Sequence, residues 1–193
     1  SATVRRELVT QGQAFSDVGT LLVLGSGSMA KGTASHEVTH ILTHRAGDSV
    51  FRGIPSWLNE GLSELGNIDP GYSYDIALDF AVATDRLLPI TSLQIIPGNP
   101  EQAIIFYGQA RSIVRFMVEK FGPGRMSELM ATLQSGKRMD DALEDVYGVR
   151  RVGLENQWRR ALGAPEYVPP APGSALPTAI PLPAVLPYSL TPQ

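Results

Sequence analysis

The sequence predicts a predominantly helical α+β domain with a short strand ahead of its first long helix. Three observations support this fold class. Apolar residues recur at helical spacing through most of residues 1–163, a short aliphatic run at 20–24 ends in Gly-Ser-Gly-Ser, and a proline-rich composition begins at residue 164. The chain has 193 residues, which suits one domain or one domain with an appendage.

The individual elements are predicted from local signals in chain order. Residues 20–24 (TLLVL) predict one strand, because the run is short, apolar and followed by a glycine-serine loop. The second helix is expected to have Ser56 as its N-cap and Gly66 at its end. Residues 86–100 contain three prolines and predict a crossing loop. The predicted helices cover residues 33–45, 56–66, 73–85, 101–121, 124–134, 139–147 and 151–162. In the longest of these helices, Ile104 is expected on the buried face.

Composition restricts the classes of function. Lysine and arginine number 16 against 19 aspartates and glutamates, and the resulting net charge of −3 argues against a nucleic-acid partner. No apolar run approaches the roughly 18 residues of a membrane-spanning helix, so we expect no span in this chain. Cysteine is absent, so any metal would have to be held by histidine or carboxylate side chains.

The last 30 residues differ from the rest of the chain. Residues 164–193 hold nine of the 15 prolines and one charged residue, Glu166. This composition predicts a semi-rigid tail or linker, with a disordered end that has no function as the alternative. Because the chain begins at Ser1 without methionine, we expect a processed chain or an excised piece. The predicted domain, residues 1–163, would then be truncated at its N-terminus.

All three histidines of the chain, His36, His40 and His44, fall within one predicted helix. Residues four apart on a helix lie about 6 Å apart along its axis and share a face, so neighbouring imidazoles can bind one cation. His36, Glu37 and His40 form the pattern HExxH, in which the two histidines bind zinc and the glutamate acts as general base. The alternative is a set of surface histidines on an amphipathic helix.

A catalytic zinc needs a third protein ligand. Ala46 stands six residues after His40, which excludes the metzincin arrangement, and His44 is too close along the same helix to complete a tetrahedron. We therefore expect His44 on the outer face or beside the ligands. The candidate third ligand is Glu60, because it lies in the otherwise apolar run PSWLNEGLSEL, where an unpaired charge would be costly.

HEVTH and PSWLNEGLSEL, with 19 residues between His40 and Glu60, resemble the gluzincin zinc metallopeptidases, in particular the peptidase MA-like domains with their paired HExxH and W-L-x-E-G motifs. The resemblance covers residues 20–162. It implies a thermolysin-like catalytic domain with one Zn²⁺ per chain, bound by His36, His40 and Glu60, and with Glu37 as the catalytic base.

The resemblance also implies roles for three further residues. Glu64 would orient a zinc-bound histidine, with an ordinary exposed helix glutamate as the alternative. Tyr107, in FYGQA, resembles the catalytic tyrosine of gluzincin aminopeptidases, which donates to the oxyanion; a tyrosine that merely packs is the alternative. Arg111, one turn further along, would contact a substrate carbonyl or carboxylate, or else be solvated.

One departure from the family concerns specificity. Gluzincin aminopeptidases carry a G-x-M-E-N segment whose glutamate binds the substrate amine, whereas the corresponding LLVLGSGS of this chain contains no acid. The expectation is therefore an endopeptidase. Val23, Leu24 and Gly25 are expected to pair with an extended peptide backbone, with a core strand as the alternative.

These inferences together predict a zinc-dependent endopeptidase that hydrolyses peptide or protein substrates. Two alternatives belong to other classes: a non-catalytic, metal-containing binding or scaffold module of a surface protein, and a surface-attached interaction domain whose function lies in the proline-rich tail. The tail and the peptidase prediction together suggest an extracytoplasmic location, either secreted or at the cell surface.

Overall fold

The computed structural model describes residues 12–24, 28–50 and 52–171, and the fold within these residues is a mainly helical α+β domain. A β-hairpin comes first and seven α-helices follow it, with one 3₁₀ turn at Ile90–Ser92. The elements are β1 (Gly12–Phe15), β2 (Thr20–Val23), α1 (Ser28–Gly47), α2 (Ser56–Gly66), α3 (Ser73–Ala83), α4 (Pro100–Phe121), α5 (Pro123–Gln134), α6 (Met139–Tyr147) and α7 (Arg151–Ala161).

The strand predicted at 20–24 is one half of a hairpin. β2 pairs antiparallel with β1, with Gly12 opposite Val23 and Phe15 opposite Thr20, and both strands pack against α1. The sequence prediction missed β1, because Gly-Gln-Ala-Phe has no β-branched residue and gains its extended form from pairing. No residue of β2 is buried, so the alternative of a core strand is wrong.

Helix α1 begins at Ser28, five residues before the predicted start at Thr33. Gly32 lies within this extension although glycine is a poor helix former. In the structure, however, a side chain at this position would collide with the segment that follows α2, since its Cβ would lie 2.9 Å from Asn67 Oδ1. The first turns of α1 therefore lie directly against the end of α2.

The hydrophobic core is centred on the contact between α2 and α4. Gly61 of α2 lies so close to the carbonyl of Ala110 on α4 that a Cβ would overlap it. Trp57 and Leu58 anchor α2 in this core with no solvent exposure. The prediction that Ile104 is buried is wrong, since 37% of it is exposed. Ile105, about 100° further around the helix, lies on the buried face instead.

The loop before α4 caps the start of α2. The predicted Ser56 cap is wrong: no side chain caps this helix, and the Ser56 hydroxyl donates to the carbonyl of Gln94 at 2.8 Å. Loop carbonyls take over the capping function, because the backbone N–H of Trp57 donates to Leu93 at 3.1 Å. The predicted crossing loop thereby fixes the N-terminus of the helix that carries Glu60.

The other predicted helices match the observed ones to within two residues at each end. Gly66 is the last residue of α2, as expected, and it lies against Thr39 of α1. None of the helices in the described ranges is long and apolar enough to cross a membrane.

After α7 the chain continues without helix or strand to residue 171. The first part of the predicted tail is held against α7, because the Asn156 side chain pairs with both backbone groups of Tyr167. The remaining tail residues, 172–193, lie outside the described ranges, and the boundary between 163 and 164 stays a prediction.

Candidate metal centre

His36 and His40 on α1 and Glu60 on α2 bring three ligand atoms together. The two imidazole Nε2 atoms are 3.0 Å apart, and Oε2 of Glu60 lies 3.5 Å from His36 Nε2 and 3.4 Å from His40 Nε2. All three side chains are largely buried. These three residues, called the metal centre below, form a group that could hold a metal ion.

The second nitrogen of each histidine faces an oxygen acceptor. His40 Nδ1 lies 3.0 Å from Asn59 Oδ1 and 2.9 Å from Ser63 Oγ, and both residues belong to α2. His36 Nδ1 lies 3.0 Å from Glu64 Oε1, which is an ion-pair distance without the angle of a hydrogen bond. A proton held at Nδ1 leaves the Nε2 lone pair free, so both rings are oriented to present that lone pair to the centre.

The electrostatics of the metal centre favour a positive charge there. Burial acts to lower the pKa of His36, but the Glu60 and Glu64 carboxylates outweigh it and raise that pKa to about 9. Burial likewise opposes ionisation of Glu60, yet the two imidazoles lower its pKa to about 2. For His40, burial is again outweighed by Glu60, and the pKa is raised. The centre is therefore built to stabilise a cation.

Glu37 lies beside the metal centre and under the hairpin. Its carboxylate accepts a hydrogen bond from the backbone of Ala14 in β1. Gly12 passes close above it, since a Cβ there would lie 2.8 Å from Glu37 Oε1. Burial raises the pKa of Glu37, while the nearby histidines partly oppose that shift. A carboxylate with a raised pKa is suited to accept and return a proton.

Two tyrosines lie within electrostatic range of the Glu60 and Glu64 carboxylates. Tyr107 of α4 and Tyr74 of α3 are stacked, with ring centroids 5.3 Å apart and an interplanar angle of 19°. Burial, followed by the negative charges of Glu60 and Glu64, raises the pKa of both phenols, that of Tyr74 to about 12. Both hydroxyls therefore keep their protons and can act as hydrogen-bond donors at neutral pH.

Comparison with known proteins assigns the family. A family model described as peptidase MA superfamily matches residues 2–164, which is most of the chain. The protein belongs to the peptidase MA superfamily. No curated protein and no solved structure gave a significant match. Membership, together with a histidine and glutamate group that could hold a metal, indicates a metallopeptidase acting on proteins or peptides.

The metal centre of this peptidase MA member fits a four-coordinate ion. Bonds of about 2.0–2.1 Å at tetrahedral angles place ligand atoms about 3.3–3.4 Å apart. The three observed separations are 3.0, 3.4 and 3.5 Å. The donor set also fits, because two neutral imidazoles and one carboxylate are a known set for catalytic zinc.

The other residues predicted for this peptidase MA site differ in position, and Glu64 lies beside the metal centre, 3.0 Å from His36 Nδ1. Glu64 is 4% exposed, so the alternative of an exposed helix glutamate is wrong. Arg111 is buried as well, which contradicts the solvated alternative, and its guanidinium lies 3.4 Å from Asp75 Oδ2 at the start of α3. Val23 and Leu24 lie at the end of β2, whereas Gly25 lies outside the described residues.

The sequence prediction missed four contributors to the site. Asn59 and Ser63 contact a ligand histidine, and their only signal was a position one residue before and three residues after Glu60. Tyr74 reaches Tyr107 because Gly108 lets the backbone of α3 approach α4 closely. Ala14 belongs to the strand that was not predicted, and no local signal marks it.

Proposed function

We propose that this protein is a zinc-dependent peptidase that cleaves internal bonds of peptide or protein substrates. The observation that carries the proposal is the convergence of His36 Nε2, His40 Nε2 and Glu60 Oε2 within 3.5 Å of one another, with Glu37 beside them. The family supports a peptidase, and the donor set supports zinc. The helical pair α1 and α2 corresponds to the core of a thermolysin-like catalytic domain.

His36, His40 and Glu60 would hold one zinc ion per chain. Zinc in such a site is a Lewis acid that polarises carbonyl groups and lowers the pKa of water toward about 7. Glu64, Asn59 and Ser63 orient the two imidazoles from behind through their Nδ1 atoms.

Glu37 acts as the general base and then as the general acid. Its carboxylate takes a proton from the attacking water and returns that proton to the leaving amine. The hydrogen bond from the Ala14 backbone fixes the carboxylate, and burial raises its pKa, which makes Glu37 a stronger base toward the proton of the attacking water. Gly12 supports this role, because any larger residue would press on the Glu37 side chain.

Tyr107 donates a hydrogen bond to the oxygen of the substrate carbonyl as negative charge develops on it. Its raised pKa keeps the phenol protonated, and its ring is held by the stack with Tyr74. The alternative of a tyrosine that merely packs predicts that removal of the hydroxyl leaves turnover unchanged.

The hairpin supplies the binding edge for an extended substrate. β1 contacts Glu37, and β2, which ends at Val23 just before Leu24, alternates exposed and partly buried residues. Leu22 and Leu24 expose 54% and 58% of their surface and offer apolar contacts to substrate side chains. Because the segment LLVLGSGS, residues 21–28, contains no acid that would bind a free amino terminus, we assign endopeptidase action. Arg111, held by Asp75, lies too deep to be a mobile surface charge, and its proposed role is to bind a carbonyl or carboxylate of the substrate.

The organisation of the chain is part of the same proposal. Residues 1–163 form the peptidase domain, and residues 164–193 form a proline-rich linker that leaves it at α7. The hydrogen bonds between Asn156 and Tyr167 support a fixed point of departure for the linker. A spacer of this kind suits an extracytoplasmic peptidase, secreted or attached at the cell surface.

Metal analysis of the purified protein tests the proposal. We expect about one zinc per chain, and a sharp loss of zinc in His40→Ala and in Glu60→Ala. Glu119→Ala, which changes an exposed glutamate on α4, is the matched control and should keep its zinc. Wild-type zinc content in both ligand variants would refute the site. Zinc without hydrolysis of any peptide in a broad library would favour the non-catalytic scaffold module.

A further inference from the structure

We propose that Asp48 and His44 act as positioning residues for His40, through a directional hydrogen-bond relay that passes across Asn59. The inference rests on the proposed zinc site. The relay, defined as Asp48, His44, Asn59 and His40, starts at the C-terminal end of α1, crosses to α2 and returns to the ligand histidine. It gives a task to the third histidine, which lies outside the metal centre.

The contacts of the relay form a continuous path. Asp48 Oδ2 lies 2.6 Å from His44 Nδ1, and Asn59 Nδ2 lies 3.4 Å from His44 Nε2. Asn59 Oδ1 is then 3.0 Å from His40 Nδ1. The outer end is fixed too, because the backbone N–H of Ile54 donates to Asp48 Oδ1 at 3.0 Å.

The chemistry of each group sets the direction of the next hydrogen bond. A carboxylate only accepts, so His44 must carry its proton at Nδ1 and present a lone pair at Nε2. That lone pair accepts a hydrogen bond from the NH₂ group of Asn59, so the amide oxygen of Asn59 faces His40. His40 in turn carries its proton at Nδ1, and its Nε2 lone pair faces the metal centre.

The direct partners of His40 Nδ1 cannot set this direction by themselves. Asn59 can offer either its oxygen or its NH₂ group, and the Ser63 hydroxyl can donate as well as accept. His36 differs, because its Nδ1 faces the Glu64 carboxylate directly. On the Nδ1 side of His40, Asp48 is the residue of the relay that can only accept a hydrogen bond. It lies three contacts away from His40 and determines that the His40 proton is at Nδ1.

Two substitutions of Asp48 separate this relay from simple packing or charge. In Asp48→Asn the Ile54 N–H retains the amide oxygen, so the new NH₂ group faces His44 Nδ1 and moves the His44 proton to Nε2. Asn59 must then turn and point its NH₂ group at His40. Asp48→Ala removes the same charge but leaves His44 free to keep its proton at Nδ1.

Zinc affinity, measured by competition with a chelator, is the first readout. We expect Asp48→Asn to bind zinc about tenfold more weakly than wild type, and Asp48→Ala to lose about threefold or less. This order is the reverse of what packing predicts, because the asparagine retains the shape and the contact with Ile54. Equal losses in the two variants would overturn the relay.

Histidine tautomers give a second, spectroscopic readout. The chain has only three histidines, so long-range ¹H–¹⁵N correlation spectra of the zinc-loaded protein contain three imidazoles. We expect the His44 proton at Nδ1 in wild type and at Nε2 in Asp48→Asn. A His44 tautomer that is the same in both proteins would contradict the first step of the relay.

A compensating substitution completes the test. In Asn59→Asp the carboxylate accepts from both histidines, so the direction set by Asp48 no longer matters. The tenfold cost of Asp48→Asn should therefore fall to about twofold or less in the Asn59→Asp background, whatever the added charge does to affinity by itself. An undiminished cost would overturn the relay alone, whereas a wild-type protein that binds no zinc would overturn the proposed function with it.

Discussion

Two buried clusters of charged side chains differ in how their hydrogen bonding is completed. In one, Glu155 of α7 accepts from the Ile90 N–H at 3.0 Å and from Arg159 Nε at 2.8 Å. Arg159 Nη2 also lies 3.3 Å from the Leu87 carbonyl. In the other, the metal centre, acceptor atoms converge on a common point, and the chain places no lysine or arginine among them in the ranges described.

The closed pair of Glu155 and Arg159 serves the fold. It fixes the loop that contains Ile90 to α7, and the same loop caps α2 through the hydrogen bond between Leu93 and Trp57. A cluster that supplies its own cation therefore helps to hold the helix on which Glu60 stands. Burial of charge alone therefore does not mark a functional site. A metal site is marked by acceptor atoms that converge on one point with no lysine or arginine side chain among them.

Removal of the internal cation is expected to have the largest effect on the fold. Arg159→Met keeps most of the side-chain volume but leaves the Glu155 charge buried and unpaired. We expect the free energy of unfolding, measured by urea denaturation, to fall by about 3–5 kcal/mol. Arg125→Met, which breaks the exposed pair with Glu128, is the control and should cost about 1 kcal/mol or less.

A double variant checks the cause of that loss. In Glu155→Gln with Arg159→Met, the amide oxygen can still accept from Ile90 while the buried charge is gone. More than half of the lost stability should return. A double variant as unstable as the single one would show that the stability depends on the contacts of Arg159 with the loop rather than on its charge.

The metal centre should respond in the opposite way, with lost activity and an intact fold. Glu37→Gln keeps the shape and the acceptor for Ala14 but removes the group that carries the proton. We expect kcat/KM for peptide hydrolysis to fall on the order of 10²-fold or more, about 2.7 kcal/mol, with zinc content unchanged. Glu119→Gln is the matched control. Loss of zinc would make Glu37 a ligand, and unchanged turnover would remove it from the mechanism.

The two clusters also differ in how far the sequence predicts them. His36, Glu37 and His40 are local, because one helical turn sets their spacing, and Glu60 stood out as a charge in an apolar run. Glu155 and Arg159 have the same spacing of four residues, but no local signal marks the pair as buried, since its other partners are backbone groups of a loop at least 65 residues earlier in the chain. Tyr74 and Ala14 were missed for the same reason: each reaches the site through packing of distant elements.

The residue behind His36 should have a smaller effect than Glu37. Glu64→Gln keeps an oxygen near His36 Nδ1 but removes the charge that stabilises the ring. We expect zinc affinity to fall about tenfold and the fold to persist, since Glu64 lies behind a ligand and not in the core that α2 shares with α4. Chelator competition and the urea transition measure both quantities on the same sample. An unchanged zinc affinity would mean that the Glu64 charge does not support the centre.

Blocking the amino terminus of the substrate is expected to have the smallest effect on kcat/KM. An aminopeptidase must bind the charged amine, and a buried acid left without that partner would cost several-fold to many-fold in kcat/KM. The segment LLVLGSGS, residues 21–28, contains no acid, so N-acetylated peptides should be cut at internal bonds at a rate within about twofold of their free-amine counterparts. Tyr107→Phe should slow both substrates by the same factor, because the hydroxyl acts on the carbonyl oxygen and not on the amine.

Mass spectrometry of the products distinguishes cleavage at internal bonds from stepwise removal of amino-terminal residues. Consumption of free-amine peptides alone, one residue at a time, would mean that another acid binds the amine, with Asp69 and Glu101 as the residues to substitute next.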